Sequence, residues 1–252
     1  MNFLLCDLYG KSNLIFMKYL KDETFMMDMD GGEDTKQSTR LLENRIEDLR
    51  QQLIELPAGH DPLARADILL GLGRTLVELQ QNEEAWEAGR EAFDLYAAAE
   101  VWEGAVQACD ILFLADQPES LAALGQGIWL AVTYPVDSEL TVAMLQHVVD
   151  ETPPDSDGAA VAATAAHYIV ELRAPEGKDR DNLLFYTNQL LATVARRHSD
   201  VLDQPAFDRW FKKLELEDPA KFLPRLRNVV DVLVQDNWWF DREALAARLP
   251  VN

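Results

Sequence analysis

Four histidines, two cysteines and 44 carboxylates are the side chains of this 252-residue chain that could do chemistry, and their spacing decides which chemistry. His60, His147, His167 and His198 lie in separate segments, none with a second histidine three or four residues away, so no helical metal pair is spelled out. His147 with Asp150 and Glu151 comes nearest to a ligand group, and it reads as a helix-face histidine beside solvated acids. Carboxylate-bridged iron would need Glu-x-x-His units on two helices, and the chain contains none. Cys6 and Cys109 are far apart and form no CxxC, which argues against a thiolate zinc site and a disulfide framework and fits a reducing cytosol. Cys109 sits in an apolar helical stripe, where a buried, inert thiol is expected. There is no GxSxG elbow. "GLGRT" at 71–75 and "GQG" at 125–127 lack a preceding strand or a GK[ST] ending, so they are packing glycines rather than phosphate cradles. "MDMDGGED" at 27–34 lacks the glutamate spacing of a calcium loop. The expectation is a protein without a catalytic site, metal or cofactor.

Two features survive this sifting. The first is an acidic cluster, "NEEAWEAGREAFD", in which Glu83, Glu84, Glu87, Glu91 and Asp94 recur at helical spacing. It belongs to a regional excess: residues 66–157 hold 18 acids against Arg74 and Arg90 alone, within a chain of formal charge −21. Such a field opposes contact with phosphate backbones and with anionic lipid, both of which need lysine and arginine. It suits a protein or peptide partner with a basic segment. An alternative is an acidic mimic of nucleic acid, with carboxylates spaced along a rod of helices; a helical enzyme with an unrecognised site has the least support. The second feature is "NWWFD", with Trp238 and Trp239 adjacent. On a helix they would point about 100° apart. Either they plug and cover the end of a helical array, or the outward ring docks a partner.

Helices must position these groups. In "STRLLENRIEDLRQQLIELPAG" the residues Leu42, Ile46, Leu49, Leu53 and Leu56 step by three and four, with Ser38 or Thr39 as cap and Pro57 with Gly59 as stop. This helix either packs onto its successors or pairs with a second copy through residues 38–56. The stretch 64–99 holds a helix with Ile68, Leu69, Leu72, Leu76 and Leu79, a break at Gln80–Asn82, and a helix with Ala85, Ala88, Ala92, Phe93 and Tyr96.

Leu72-Gly73, followed by Ala85 and Ala92, resembles the tetratricopeptide repeat, a helix pair of about 34 residues. A glycine in one helix facing an alanine in the other lets two backbones come close. Leu69 and Leu76 stand where that family carries Trp and Tyr, and Ala97 where it carries Pro. The resemblance implies stacked helix pairs with a concave peptide-binding groove. The lysines and arginines with which some members hold a carboxylate are missing here.

Weaker helical patterns follow: "EVWEGAVQACDILFLADQ", "PESLAALGQGIWLAVTYP" opened by Pro118, "SELTVAMLQHVVDET" with Ser138 as cap, the alanine-rich "AAVAATAAHYIVELRA" and "NLLFYTNQLLATVARRHS". From Pro205 the helices shorten and aromatics gather: Phe207, Trp210, Phe211, Phe222, Trp238, Trp239 and Phe240. The expectation is an all-α fold, antiparallel helix pairs stacked as a tetratricopeptide-like α-solenoid with an aromatic-rich cap of short helices. Residues 1–35 are expected to be a disordered or mis-assigned extension, 36–200 the repeat domain and 201–252 the cap. No segment approaches eighteen uninterrupted apolar residues, so no membrane span is expected, and the cytoplasm is the expected location.

Overall fold

Proline, glycine and short acidic caps cut this chain into helices, and the computed structural model, which describes residues 17–20 and 32–249, places the cuts close to where the sequence puts them. Eleven helices and no strand occur among the described residues. They are α1 (Gly32–Glu55), α2 (Pro62–Glu78), α3 (Asn82–Ala98), α4 (Trp102–Leu114), α5 (Ser120–Thr133) and α6 (Ser138–Glu151). The remainder are α7 (Asp157–Arg173), α8 (Lys178–Ser199), α9 (Gln204–Lys213), α10 (Pro219–Val234) and α11 (Arg242–Ala246). Most of the expected N-terminal extension, including Cys6, lies outside the described residues. Within residues 17–20, Leu20 is buried and its N–H donates to Glu139 Oε1 at 3.2 Å.

Two start signals differ from the sequence reading. The first helix begins at Gly32, so Ser38 and Thr39 are inside it rather than capping it. At α6 the cap is Asp137, whose carboxylate accepts from the N–H groups of Glu139 and Leu140, and Ser138 is the first helical residue. An ionised acceptor at that position is stabilised by the helix dipole as well as by the bonds. Asp241 opens α11, its side chain accepting from the N–H of Ala244.

By contact the chain divides into two compact units, with the boundaries inside α5, after Leu130, and inside α10, after Val229. The first unit contains α1 to α4, residues 120–130 and residues from 230 onward. Here α1 packs on α2, α2 on α3, α3 on α4, and α2 also reaches α4. The close approach read from Leu72-Gly73 is present: a Cβ placed on Gly73 would lie 3.5 Å from the Ala85 carbonyl oxygen and 3.0 Å from Ile111. Leu69, Leu72, Leu76, Ala85, Ala88, Ala92, Phe93 and Tyr96 are buried, as the apolar stripes require. Tyr96 donates its hydroxyl to Asp67 Oδ1 at 2.5 Å across the same pair, and burial together with that carboxylate pushes the phenol well above its ordinary range. Helix α1 is held more loosely, with Ile46 buried while Leu41 is 63% and Ile54 76% exposed.

The second unit contains the described residues 17–20 and the stretch from Ala131 to Val229, with α6 on α7, α7 on α8 and α8 on α9. Its centre is α7, whose alanines from Ala159 to Ala166 are fully buried, small enough to be surrounded by helices on every side. Arginines from later elements close the carbonyl ends of earlier helices. Arg173 donates to Ala131 O at 2.7 Å and Tyr134 O at 2.9 Å, Arg197 donates to Val149 O, and Arg225 donates to Leu214 O at 2.6 Å. Helix C-termini leave such carbonyls without intrahelical partners, and a cation there also answers the dipole. Burial lowers the Arg173 pKa from its ordinary value.

Candidate partner-binding site

Helix α3 presents its acids by a simple division of faces. Ala85, Ala88, Ala92, Phe93 and Tyr96 turn inward, and the residues between them turn out. Glu83, Glu84, Glu87 and Asp94 are exposed and Glu91 is half-buried. Counting charges along the chain left this cluster almost unneutralised, and the tertiary structure corrects that. Arg50 of α1 pairs with Glu84, Arg65 of α2 with Glu91 at 2.5 Å, and Arg90 with Asp94 at 3.1 Å. Two of those arginines lie outside the acidic stretch in sequence, which is why a linear count missed them. The hydrogen bond to Glu91 raises the Arg65 pKa from its ordinary value. Glu83 and Glu87 have no ion-pair partner among the described residues. They stand one turn apart with Trp86 between them, three residues from the first and next to the second.

Trp86 begins a continuous run of rings in the first unit. Trp239 meets Trp86 edge-on at 6.3 Å and Phe93 edge-on at 5.0 Å. Phe240 lies over Phe93 at 6.5 Å and beside Trp129 of α5 at 5.3 Å. Trp238 completes the run against Trp129 at 6.3 Å and Phe240 at 5.6 Å. Phe93 is buried; Trp86, Trp129, Trp238, Trp239 and Phe240 are all half-buried. Trp238 and Trp239 are thus both half-buried, and the pair does not divide into one buried and one exposed residue.

The turn that carries the pair is fastened by one side chain. Gln126 of α5 is fully buried; its amide nitrogen donates to Asn237 O at 2.9 Å and its amide oxygen accepts from the Trp239 N–H at 3.0 Å. A single carboxamide thus satisfies a donor and an acceptor of an otherwise irregular segment. Next to it a Cβ on Gly125 would fall 2.5 Å from Val234, so glycine is what allows α5 and the end of α10 to meet.

Two guanidinium groups cover tryptophan faces in this run. Arg90 lies 4.1 Å from the centre of the Trp239 ring, and Arg242 lies 4.5 Å from that of Trp238. Each is backed by a carboxylate, Asp94 for Arg90 and Asp231 for Arg242. The run therefore contains one motif twice: indole, guanidinium, carboxylate. Trp86, Trp129, Gln126 and Arg242 were not singled out from sequence; Phe240 was read among the C-terminal aromatics, and Arg90 only as a charge. Trp86 had a signal, an indole in the middle of the acidic cluster; Gln126 had none, because its partners are over a hundred residues away.

Other reactive groups are engaged in structure. Cys109 is fully buried, and desolvation raises its thiol pKa far above the ordinary value. His198 Nε2 lies 3.1 Å from Asp157 Oδ1, while Nδ1 faces Ser199 Oγ at 2.6 Å and Trp210 Nε1 at 3.1 Å. An indole nitrogen only donates, so Nδ1 is an acceptor and the ring proton sits on Nε2. The lone pair that a general base would use is already engaged, and the group ties the end of α8 to α9. No cluster of three or more metal-ligating side chains occurs among the described residues. A cleft of about 380 Å³ between α1 and α2 is lined by Arg45, Arg74, Asp67 and Glu78, two cations and two acids.

The class of protein is thus set by its architecture: all-α, with α1 to α4 packed in succession in one unit and α6 to α9 in the other, and no helix among the described residues long and apolar enough to cross a membrane. No family model, no curated protein and no solved structure matches this chain.

Proposed function

We propose that this chain is a protein-interaction module, an adaptor, chaperone or assembly factor without a catalytic role, that binds a basic segment of a partner. In this reading its helix pairs stack in the manner of tetratricopeptide repeats, as the seating of Gly73 on Ala85 suggests. The observation that carries the proposal is the meeting of two features on one surface of the first unit. Glu83 and Glu87 are carboxylates that no cation of the described chain answers, and Trp86 between them opens a band of half-buried rings. Contiguous aromatic surface left partly in water marks contact sites, and indoles dominate the energetics of such contacts. The formal charge of −21 steers a cationic partner toward the molecule and repels polyanions. Nothing in the arrangement of carboxylates favours the nucleic-acid mimic over this reading.

The test uses the full chain and an oligo-lysine peptide. Affinity should fall as salt rises, and Glu83→Lys with Glu87→Lys should weaken binding by about tenfold or more, two reversed charges at close range contributing on the order of 1.4 kcal/mol or above. Glu176→Lys with Glu217→Lys changes the net charge equally at exposed positions of the other unit. If that control pair weakens binding as much, the patch is not the site and only net charge acts.

A further inference from the structure

The indole–guanidinium–carboxylate motif that appears twice within the chain indicates what a third indole would accept. Trp239 takes Arg90, backed by Asp94, and Trp238 takes Arg242, backed by Asp231. Trp86 has the same surroundings in one respect and differs in another. It is half-buried, with Glu83 three residues before it and Glu87 next to it on α3, and among the described residues its one ring contact is with Trp239. Neither glutamate has an ion-pair partner among the described residues.

We propose that Trp86, Glu83 and Glu87 form a docking site for an arginine side chain of the partner, the guanidinium lying on the indole and hydrogen-bonding to the carboxylates. This rests on the reading of the chain as a module for basic segments and deepens it from any cation to arginine. The chemistry favours arginine for two reasons. Its planar, weakly hydrated guanidinium stacks on an aromatic face and presents several N–H donors in one plane, so it satisfies ring and carboxylates together. A lysine ammonium is compact and strongly hydrated, and at this site it gives up more water for a single point contact. Glu84 does not belong to the site, because Arg50 holds it. Nor does the face of Trp239, which Arg90 covers.

The experiment titrates the full chain with oligo-arginine and oligo-lysine peptides of equal length at fixed salt and follows binding by calorimetry. The wild-type chain should prefer oligo-arginine by about fivefold or more, the range a partly desolvated cation–π contact gives. Trp86→Leu should bring that ratio close to one while leaving oligo-lysine affinity nearly unchanged. Glu83→Gln with Glu87→Gln should weaken both peptides, and these side chains are exposed, so the fold is kept. Should Trp86→Leu prove unfolded by circular dichroism, Trp86→Phe serves, and it should lower the ratio part of the way. Equal affinity of the wild-type chain for the two peptides overturns the arginine site but leaves the acidic-surface reading standing. A preference that Trp86→Leu and Trp86→Phe leave intact also overturns it. No binding of either peptide overturns both.

Discussion

His167 shows at the scale of one residue what burial does to a titratable group. It is 6% exposed on α7, with Nδ1 2.9 Å from Thr187 Oγ1 and Nε2 3.5 Å from Glu171 Oε1. Thr187 donates its hydroxyl to the Leu183 carbonyl at 2.9 Å, so Nδ1 carries the proton it shares with Thr187. Desolvation lowers the pKa, and Glu171 opposes that shift only in part. The unfolded chain titrates near the ordinary histidine value of about 6.5, where the folded chain stays neutral. Below that value the unfolded state binds a proton that the native state refuses, so stability is present above about pH 6.5 and is lost as pH falls. Unfolding by urea at several pH values should show this loss, at a slope of up to about 1.4 kcal/mol per pH unit for one proton. His167→Leu should remove that component, and an unchanged slope would count against the assignment. The sequence put this histidine in a helical segment without a metal partner and could not show its burial. Gln126 makes the same point more sharply, since "GQG" identifies packing glycines but not a carboxamide that fastens the tryptophan turn.

Helices are the scale at which the sequence was most readable. Apolar residues recurring every three or four positions require a helix whose stripe is covered, and the stripes of α2 and α3 are covered as that spacing demands. Helix ends were less readable, because their signals can be replaced. Gln80, Glu100, Asp116, Asp200, Glu215 and Gln235 all have positive φ just past a helix, where glycine is the usual residue. At α2 the pattern is complete: Gln81 N–H donates to Leu76 O and Gln80 N–H to Val77 O, both at 2.9 Å. The left-handed conformation strains any side chain, so Gln80→Gly should raise the unfolding free energy by about 0.5–1 kcal/mol, net of the greater freedom glycine gives the unfolded chain. A fall in stability on chemical denaturation would mean that the Gln80 side chain makes a contact worth more than the strain. Such non-glycine ends explain why glycine and proline alone do not mark every boundary in this chain.

At the scale of the whole molecule the dominant property is charge. A formal −21 repels itself in the folded state more than in the expanded one, and salt relieves that repulsion. The exposed pairs Arg50–Glu84 and Arg248–Glu100 are worth little and lose less on screening. The melting temperature should therefore rise by a few degrees as sodium chloride goes from about 0.02 to about 0.3 M; a fall in calorimetry would show that ion pairs outweigh the net repulsion. The sequence by itself determined the helices, the faces they bury, the close approach at Gly73 and the acidic character, because these depend on residues within a turn or two of each other or on a sum over the chain. Only the tertiary structure decided which acids are answered by arginines and how Trp86, Phe93, Trp129, Trp238, Trp239 and Phe240 become one run of rings. Those outcomes depend on contacts between helices far apart in sequence, such as Arg50 on Glu84 and Gln126 on Trp239, and no local spacing carries that information.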